Sequence, residues 1–299
     1  MKYIILFLLV FSSFISSPCL SAETNTPWVI SNDTFKYAGH LQGLSCDENA
    51  IYWSFTDRIL KTDWNGKEIA EVPIDSHSGD CCLVNGKLYI SVLLRDRKKV
   101  AQKGGNSWIY VMSTDLKLLK TIPVPEAKNP DGITWLDGTF YIASDVVGHD
   151  LHSSNPIICY DENFKFKKRY ILKTGVDTRF GVQTMTTYKD QLLISNYSSK
   201  PTFFISKDCN VLKQFTIDGS TGIHPVPEKI AEGKCLYLFS RLYGKKSEPE
   251  KNPKKRLWAP RAFVYEFNEK SFQKCPKPQI KRIRPGSVRP GSDTILIEK

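Results

Sequence analysis

Five times along this chain a glycine opens a run of short β-rich segments separated by turns. The glycines are Gly43, Gly79, Gly132, Gly181 and Gly222, spaced 36, 53, 49 and 41 residues apart. In the first unit the apolar runs 50–55, 59–66 and 67–74 follow Gly43; in the second, 88–92, 108–112 and 118–125 follow Gly79. Tyr52, Tyr89, Tyr141 and Tyr237 recur at one position of the second run, between apolar neighbours. A period of about forty to fifty residues with four strands per unit is the signature of a β-propeller. No helical apolar period of useful length interrupts it. The expected fold is therefore all-β, a single β-propeller of five blades, with six as the alternative count. The fifth unit lacks an outer strand, and 34–39, ahead of the first unit, reads as one. An N-terminal strand is thus expected to close the last blade, leaving only short sheet edges.

The flanks read differently. Lys2, an apolar run from Tyr3 to Ile15 and the small residues Ser21 and Ala22 have the order of a secretory signal, too short to span a bilayer. The expected layout is a signal over 1–22, a propeller over 28–267 and a basic Pro/Gly-rich tail over 268–299. Secretion is expected, into the extracellular space or a bacterial periplasm. Seven cysteines remain after Cys19, an odd number without metal-ligand spacing, and one or two disulfides are expected. Two triplets, at Asn32 and Asn196, would permit glycosylation.

The chain's net charge of +11 is unevenly spread. Residues 244–261 hold seven Lys/Arg against two Glu, and 268–299 hold eight basic against three acidic residues. With Lys2, these account for the whole excess, so the propeller body is neutral. A surface built to track phosphates would not be, and nucleic acid is not the expected partner. The basic loop and tail instead suit an acidic partner, and the third reading of the chain is an interaction scaffold acting through that loop. Trp258 lies within the loop and is expected to pack it down.

In a propeller the first strand of each blade lines the axis, so residues at the five strand starts converge. Those positions hold His40 and Gln42, His77 and Asp80, Asn129 and Asp131, Arg179 and Gln183, and His224. Three of the chain's five histidines fall on this ring. Three chemistries fit. His40, His77 and His224, with Asp80 or Asp131, would bind a divalent metal, zinc or calcium. His77 or His40 with Asp80 would act in general acid–base catalysis. Gln42, Asp131, Arg179, Gln183 and His224 would hydrogen-bond a small polar ligand, a glycan or a peptide end. Bland roles compete with all three, since polar groups there also cap backbone and hold channel water. Asp57, Asp145 and Asn196 follow second strands, and His149, Asp150 and His152 form a weaker cluster. The serines 54, 91, 144, 195 and 240, recurring at one strand end, read as turn formers rather than nucleophiles. Whether the protein is an enzyme is left open by its sequence.

These repeats resemble the NHL and gluconolactonase class of propellers, which implies the fold and no activity; calcium in the gluconolactonase-like members sits at positions like Asp57, Asp145 and Asn196. The string His40-Leu41-Gln42-Gly43-Leu44 is similar to the opening of five-bladed glutamine cyclotransferases of plants and bacteria, and Gly79-Asp80 stands where that family has Gly-Glu. That resemblance implies an activity on peptide termini.

Overall fold

Tight turns cut the apolar runs into four-stranded antiparallel sheets. Asn85-Gly86 and Asp137-Gly138 take consecutive positive φ angles of 48° and 70°, and 46° and 73°, the geometry that reverses a two-residue hairpin without splaying its strands. Between third and fourth strands, Asp63, Ser113, Asp161 and Ser206 each accept a hydrogen bond from the amide four residues on, at 2.8–3.2 Å. The same turn is thus built four times from short polar side chains that mimic a backbone acceptor.

A computed structural model describes residues 26–74, 77–144, 152–197, 201–246 and 256–277. Five sheets surround one axis, and in four of them the strands run from inner to outer in chain order. Blade one comprises Leu41–Cys46, Ile51–Phe55, Arg58–Thr62 and Glu68–Pro73; blade two, His77–Val84, Lys87–Leu93, Ser107–Ser113 and Leu118–Pro123. Blade three comprises Ile133–Leu136, Thr139–Ala143, His152–Asp161 and Phe166–Thr178; blade four, Val182–Tyr188, Gln191–Asn196, Thr202–Ile205 and Val211–Phe215. Blade five has Ile223–Pro225, Leu236–Ser240 and Arg261–Phe267. The five-bladed count stands.

Closure is by the N-terminus, through a different segment from the one expected. Val29–Ser31 pairs with one half of Arg261–Phe267, and Phe272–Lys274 pairs with the other half. Residues 34–39 contribute only an isolated bridge from Tyr37 to Trp258. The blade accordingly runs past residue 267 into the segment read as tail.

Strand alternation sends successive side chains to opposite faces, so each blade feeds two cores. Tyr52 packs with Ile90 and Tyr110 of blade two, while its neighbour Trp53 packs with Leu238 and Val264 of blade five. Five apolar clusters fill the five seams. The recurring serines are buried here, which corrects their reading as turn formers. Ser54 Oγ donates to the Gly79 carbonyl at 2.6 Å, Ser91 Oγ to that of Asp131, and Ser195 Oγ accepts from Gly219 N at 3.2 Å. Each ties a second strand to the inner strand region of the next blade. The structure pairs none of the seven cysteines after Cys19, against the expected disulfides: Cys46, Cys81, Cys82, Cys159, Cys209 and Cys275 are buried and Cys235 is half-buried. Burial lifts all seven thiols above their ordinary range, which makes them packing groups rather than nucleophiles. Asn196 is buried at the end of its strand, unsuited to carry a glycan. No helix among the described residues is long and apolar enough to cross a membrane. Residues 1–22, the His149–Asp150 pair, Asp145, residues 247–255 of the basic loop and the tail beyond 277 lie outside the described residues.

Candidate functional site

Three inner strands carry a bulge near their start. The register skips Gln42 in blade one, Gly79 and Asp80 in blade two, and Gln183 in blade four. A bulge breaks the alternation locally and re-aims the extra side chain. Gln42 and Gln183 thereby enter a cavity of about 340 Å³ at one end of the axis, whose walls also include His40, His77, Asn129 and Asp131. Asp80 does not line it.

Gln42 organises one wall. Its amide nitrogen lies 3.1 Å from His40 Nε2 and 3.1 Å from His77 Nε2. One NH₂ group donates to both rings when both imidazoles are neutral and accept at Nε2. His40 Nδ1 then faces Thr56 Oγ1 at 3.3 Å, and the Thr56 hydroxyl in turn donates to the His40 carbonyl at 3.1 Å. Burial first, and the nearby Arg95 second, hold both rings neutral: His77 falls to about 4, and His40 is also lowered.

Across the cavity, Gln183 Nε2 donates to Asp131 Oδ2 and, at 3.3 Å, to the Phe180 carbonyl. Burial pushes the Asp131 carboxyl up to about 8, opposed by the Gln183 bond and the charge of Arg95. Asp131 Oδ1 has no partner among the described residues. Arg95 lines the cavity and places positive charge on both walls. Asn155, 1% exposed, is also in the wall, and neither its Oδ1 nor its Nδ2 finds a partner among the described residues. Phe180 and Tyr197, 4.6 Å apart edge to face, supply an aromatic side.

Three expected members are elsewhere. His224 sits in the seam between blades five and one, with Nε2 3.0 Å from Ser45 Oγ and Nδ1 2.9 Å from the Pro225 carbonyl and 3.2 Å from Cys46 Sγ. Its strand has no bulge, so its ring follows the ordinary alternation. The three-histidine metal set is therefore not assembled, and no group of three His, Cys, Asp or Glu side chains suited to a metal forms among the described residues. The donors His40 and His77, both engaged by Gln42, do not fit the zinc or calcium expectation. Arg179 is exposed and outside the cavity wall; Arg95 supplies the guanidinium instead. Asp80 is fully buried and accepts the Met185 amide at 2.8 Å, tying blade two to blade four across the axis. Burial drives its carboxyl well up, partly opposed by backbone amides. Asp80 therefore stands outside the cavity that holds His40 and His77. The calcium-type ring is absent from the described residues as well: Asp57 pairs with Arg58 at 3.0 Å and Asn196 is buried without a partner.

Sequence reading missed Arg95, Asn155, Phe180 and Tyr197. A signal existed for two of them. In an antiparallel pair the end of the second strand lies beside the start of the first, as His77 opposite Leu93 shows. Residues just past second strands, Arg95 and Tyr197, therefore reach the same mouth.

No protein-family model matches the sequence, and no curated protein matches it. Solved structures do. The glutaminyl cyclase of Myxococcus xanthus superposes with a TM-score of 0.52 at 10% identity, over 80% of this chain and 99% of that one. A streptogramin B lyase gives 0.43 at 12% identity over 84% and 88%, and a nidogen/laminin complex 0.40 at 16% over 58% and 63%. At these identities the glutaminyl cyclase likeness is one of fold: the chain is similar to it as a β-propeller.

Proposed function

We propose that this protein is an exported propeller whose axial cavity binds a small polar ligand, the end of a glycan or of a peptide. Asn155 carries the reading. A buried amide left without hydrogen bonds costs about 1–3 kcal/mol per unsatisfied group, so natural folds satisfy such groups from water or a ligand. Here Asn155 lines a cavity whose wall also carries His40, Gln42, His77, Asn129 and Gln183. Asn155→Leu removes that penalty and the recognition together. The variant is expected to melt at the same temperature as wild type or a few degrees higher, and to lose the thermal shift that glycans or peptides from a screening panel give the wild type. A variant that melts lower yet keeps its ligand response would make Asn155 a structural group and sink the reading.

A second reading, an enzyme acting on peptide termini or sugars, is favoured by Asp131. A carboxyl held near 8 inside a ligand cavity is poised to exchange a proton at neutral pH. In this reading Asp131 is the general acid–base and Gln183 holds its other oxygen. Turnover of a cavity ligand would then change with an inflection near pH 8, and Asp131→Asn would lower the rate by about a hundredfold or more. Binding without turnover in both proteins leaves the cavity a recognition site only.

A further inference from the structure

A second cavity of about 300 Å³ adjoins the first, and Asn129 lines both. Its outer wall is formed by Ser107, Trp108, Pro123, Pro125 and Lys128. Asn129, the shared wall residue, takes φ of 50°, a conformation that non-glycine residues avoid, directly before Pro130. Backbone held in that region is retained where the surroundings demand it, often at ligand clamps.

The charges of the two spaces agree. The first holds Arg95 and a single acid, Asp131; the second holds Lys128 and no acid. Arg95 makes its field felt at His40, His77 and Asp131 alike. One basic side chain thus lines each space, with Asp131 beside Arg95 in the first.

The uncharged polar groups of the walls include side-chain amides, imidazoles and hydroxyls, among them Asn155, Gln183, Asn129, His40, His77 and Ser107. Such groups both donate and accept, as sugar hydroxyls do. A peptide chain is more often held by a strand edge that gives it a ladder of N–H and C=O partners. Two of the outer wall's positions, Pro123 and Pro125, have no N–H to give.

We infer that the ligand is an acidic oligosaccharide at least two residues long, its end seated in the axial cavity near Asn155 and Arg95 and its next residue in the outer cavity beside Lys128. This rests on the binding role proposed for the axial cavity and adds the ligand's length, charge and class.

Calorimetric titration of the full chain with galacturonic acid and its α-1,4-linked dimer, trimer and tetramer tests it, with the uncharged glucose series of the same linkage alongside. Affinity is expected to rise at least tenfold from monomer to dimer or trimer and then level off, with the uncharged series at least tenfold weaker. Lys128→Gln is expected to cut trimer affinity about tenfold, while Lys120→Gln, on the exposed outer strand of the same blade, leaves it unchanged. Monomer binding that Asn155→Leu abolishes, with no gain from length, overturns the two-cavity inference and leaves the axial site standing. Length-dependent binding of acidic peptides with none of the sugars overturns the ligand class. If sugars and peptides all fail to bind, and Asn155→Leu changes neither stability nor ligand response, the axial reading falls with the inference.

Discussion

Gly43→Ala is expected to lower the thermal midpoint by about 10 °C, or to prevent folding. A Cβ built at residue 43 would lie 2.6 Å from the Cα of Asp80, on the next blade's inner strand. The obstacle is backbone, so no side chain can swing away. Forcing extra atoms into a packed interior costs about 1–3 kcal/mol and more where nothing yields. At this length each kcal/mol moves the midpoint by about 2–4 °C. Gly79 stands in the same relation to Asp131, whose Cα would be 2.9 Å away, so the inner strands nest glycine against neighbour around the axis. Gly105→Ala is the control, because nothing lies within 4 Å of its added methyl. Differential scanning calorimetry of the two variants decides the matter: equal midpoints would refute the nesting argument.

Acidification is the second large effect. His224 is held at about 4 against an ordinary 6.5, chiefly by burial in the seam that closes the ring. The unfolded chain takes up its proton near pH 6.5, whereas the folded protein resists until about 4. Stability from this group is therefore complete above pH 6.5 and lost progressively as pH falls toward 4. The full shift corresponds to roughly 3 kcal/mol at one pKa unit per 1.4 kcal/mol. His77, also lowered to about 4, adds a loss of the same sign. Asp131, raised to about 8, works the other way, its contribution growing as pH falls through 8. Asp80, its carboxyl also raised by burial, works with Asp131, so urea midpoints at pH 7 and pH 4.5 reflect opposing contributions and the His224 share is read by comparison with a variant. His224→Gln, which cannot take the proton, should lose clearly less between those two pH values. An identical loss in both proteins would show that His224 has no part in it.

Much of the fold is legible in the residues because the propeller's needs are local and repeated. Inner strands approach the next blade closely at Gly43, Gly79 and Gly132, and second strands bond across their seams through Ser54, Ser91 and Ser195. The site is less legible. Counting residues from the glycines treats all five strands alike, but bulges in three of them turn Gln42, Asp80 and Gln183 out of the regular alternation. His224 sits on a strand without one and so points into a seam. Asp80, read as catalytic, spends its carboxylate on the Met185 amide. Asn155 is invisible to such counting because it lies on a third strand, brought to the cavity by the way His152–Asp161 runs beside Thr139–Ala143.

The fifth blade is assembled from both ends of the polypeptide. Beyond the pairing of Val29–Ser31, Trp28 N donates to the Cys275 carbonyl at 2.8 Å and Lys277 N to that of Thr26 at 2.9 Å. During synthesis the early strand must therefore wait, unpaired, until more than two hundred further residues have been made. Blades one to four have their own strands in hand long before that. Closing so long a loop carries an entropic cost that no local hairpin bears, which makes docking of the first strand the natural last event of folding. Until it happens, Arg261–Phe267 is an open sheet edge able to recruit the early strand of another copy. The clasp that completes the ring is thus also the point at which a crowded, newly made chain is most exposed to domain swapping.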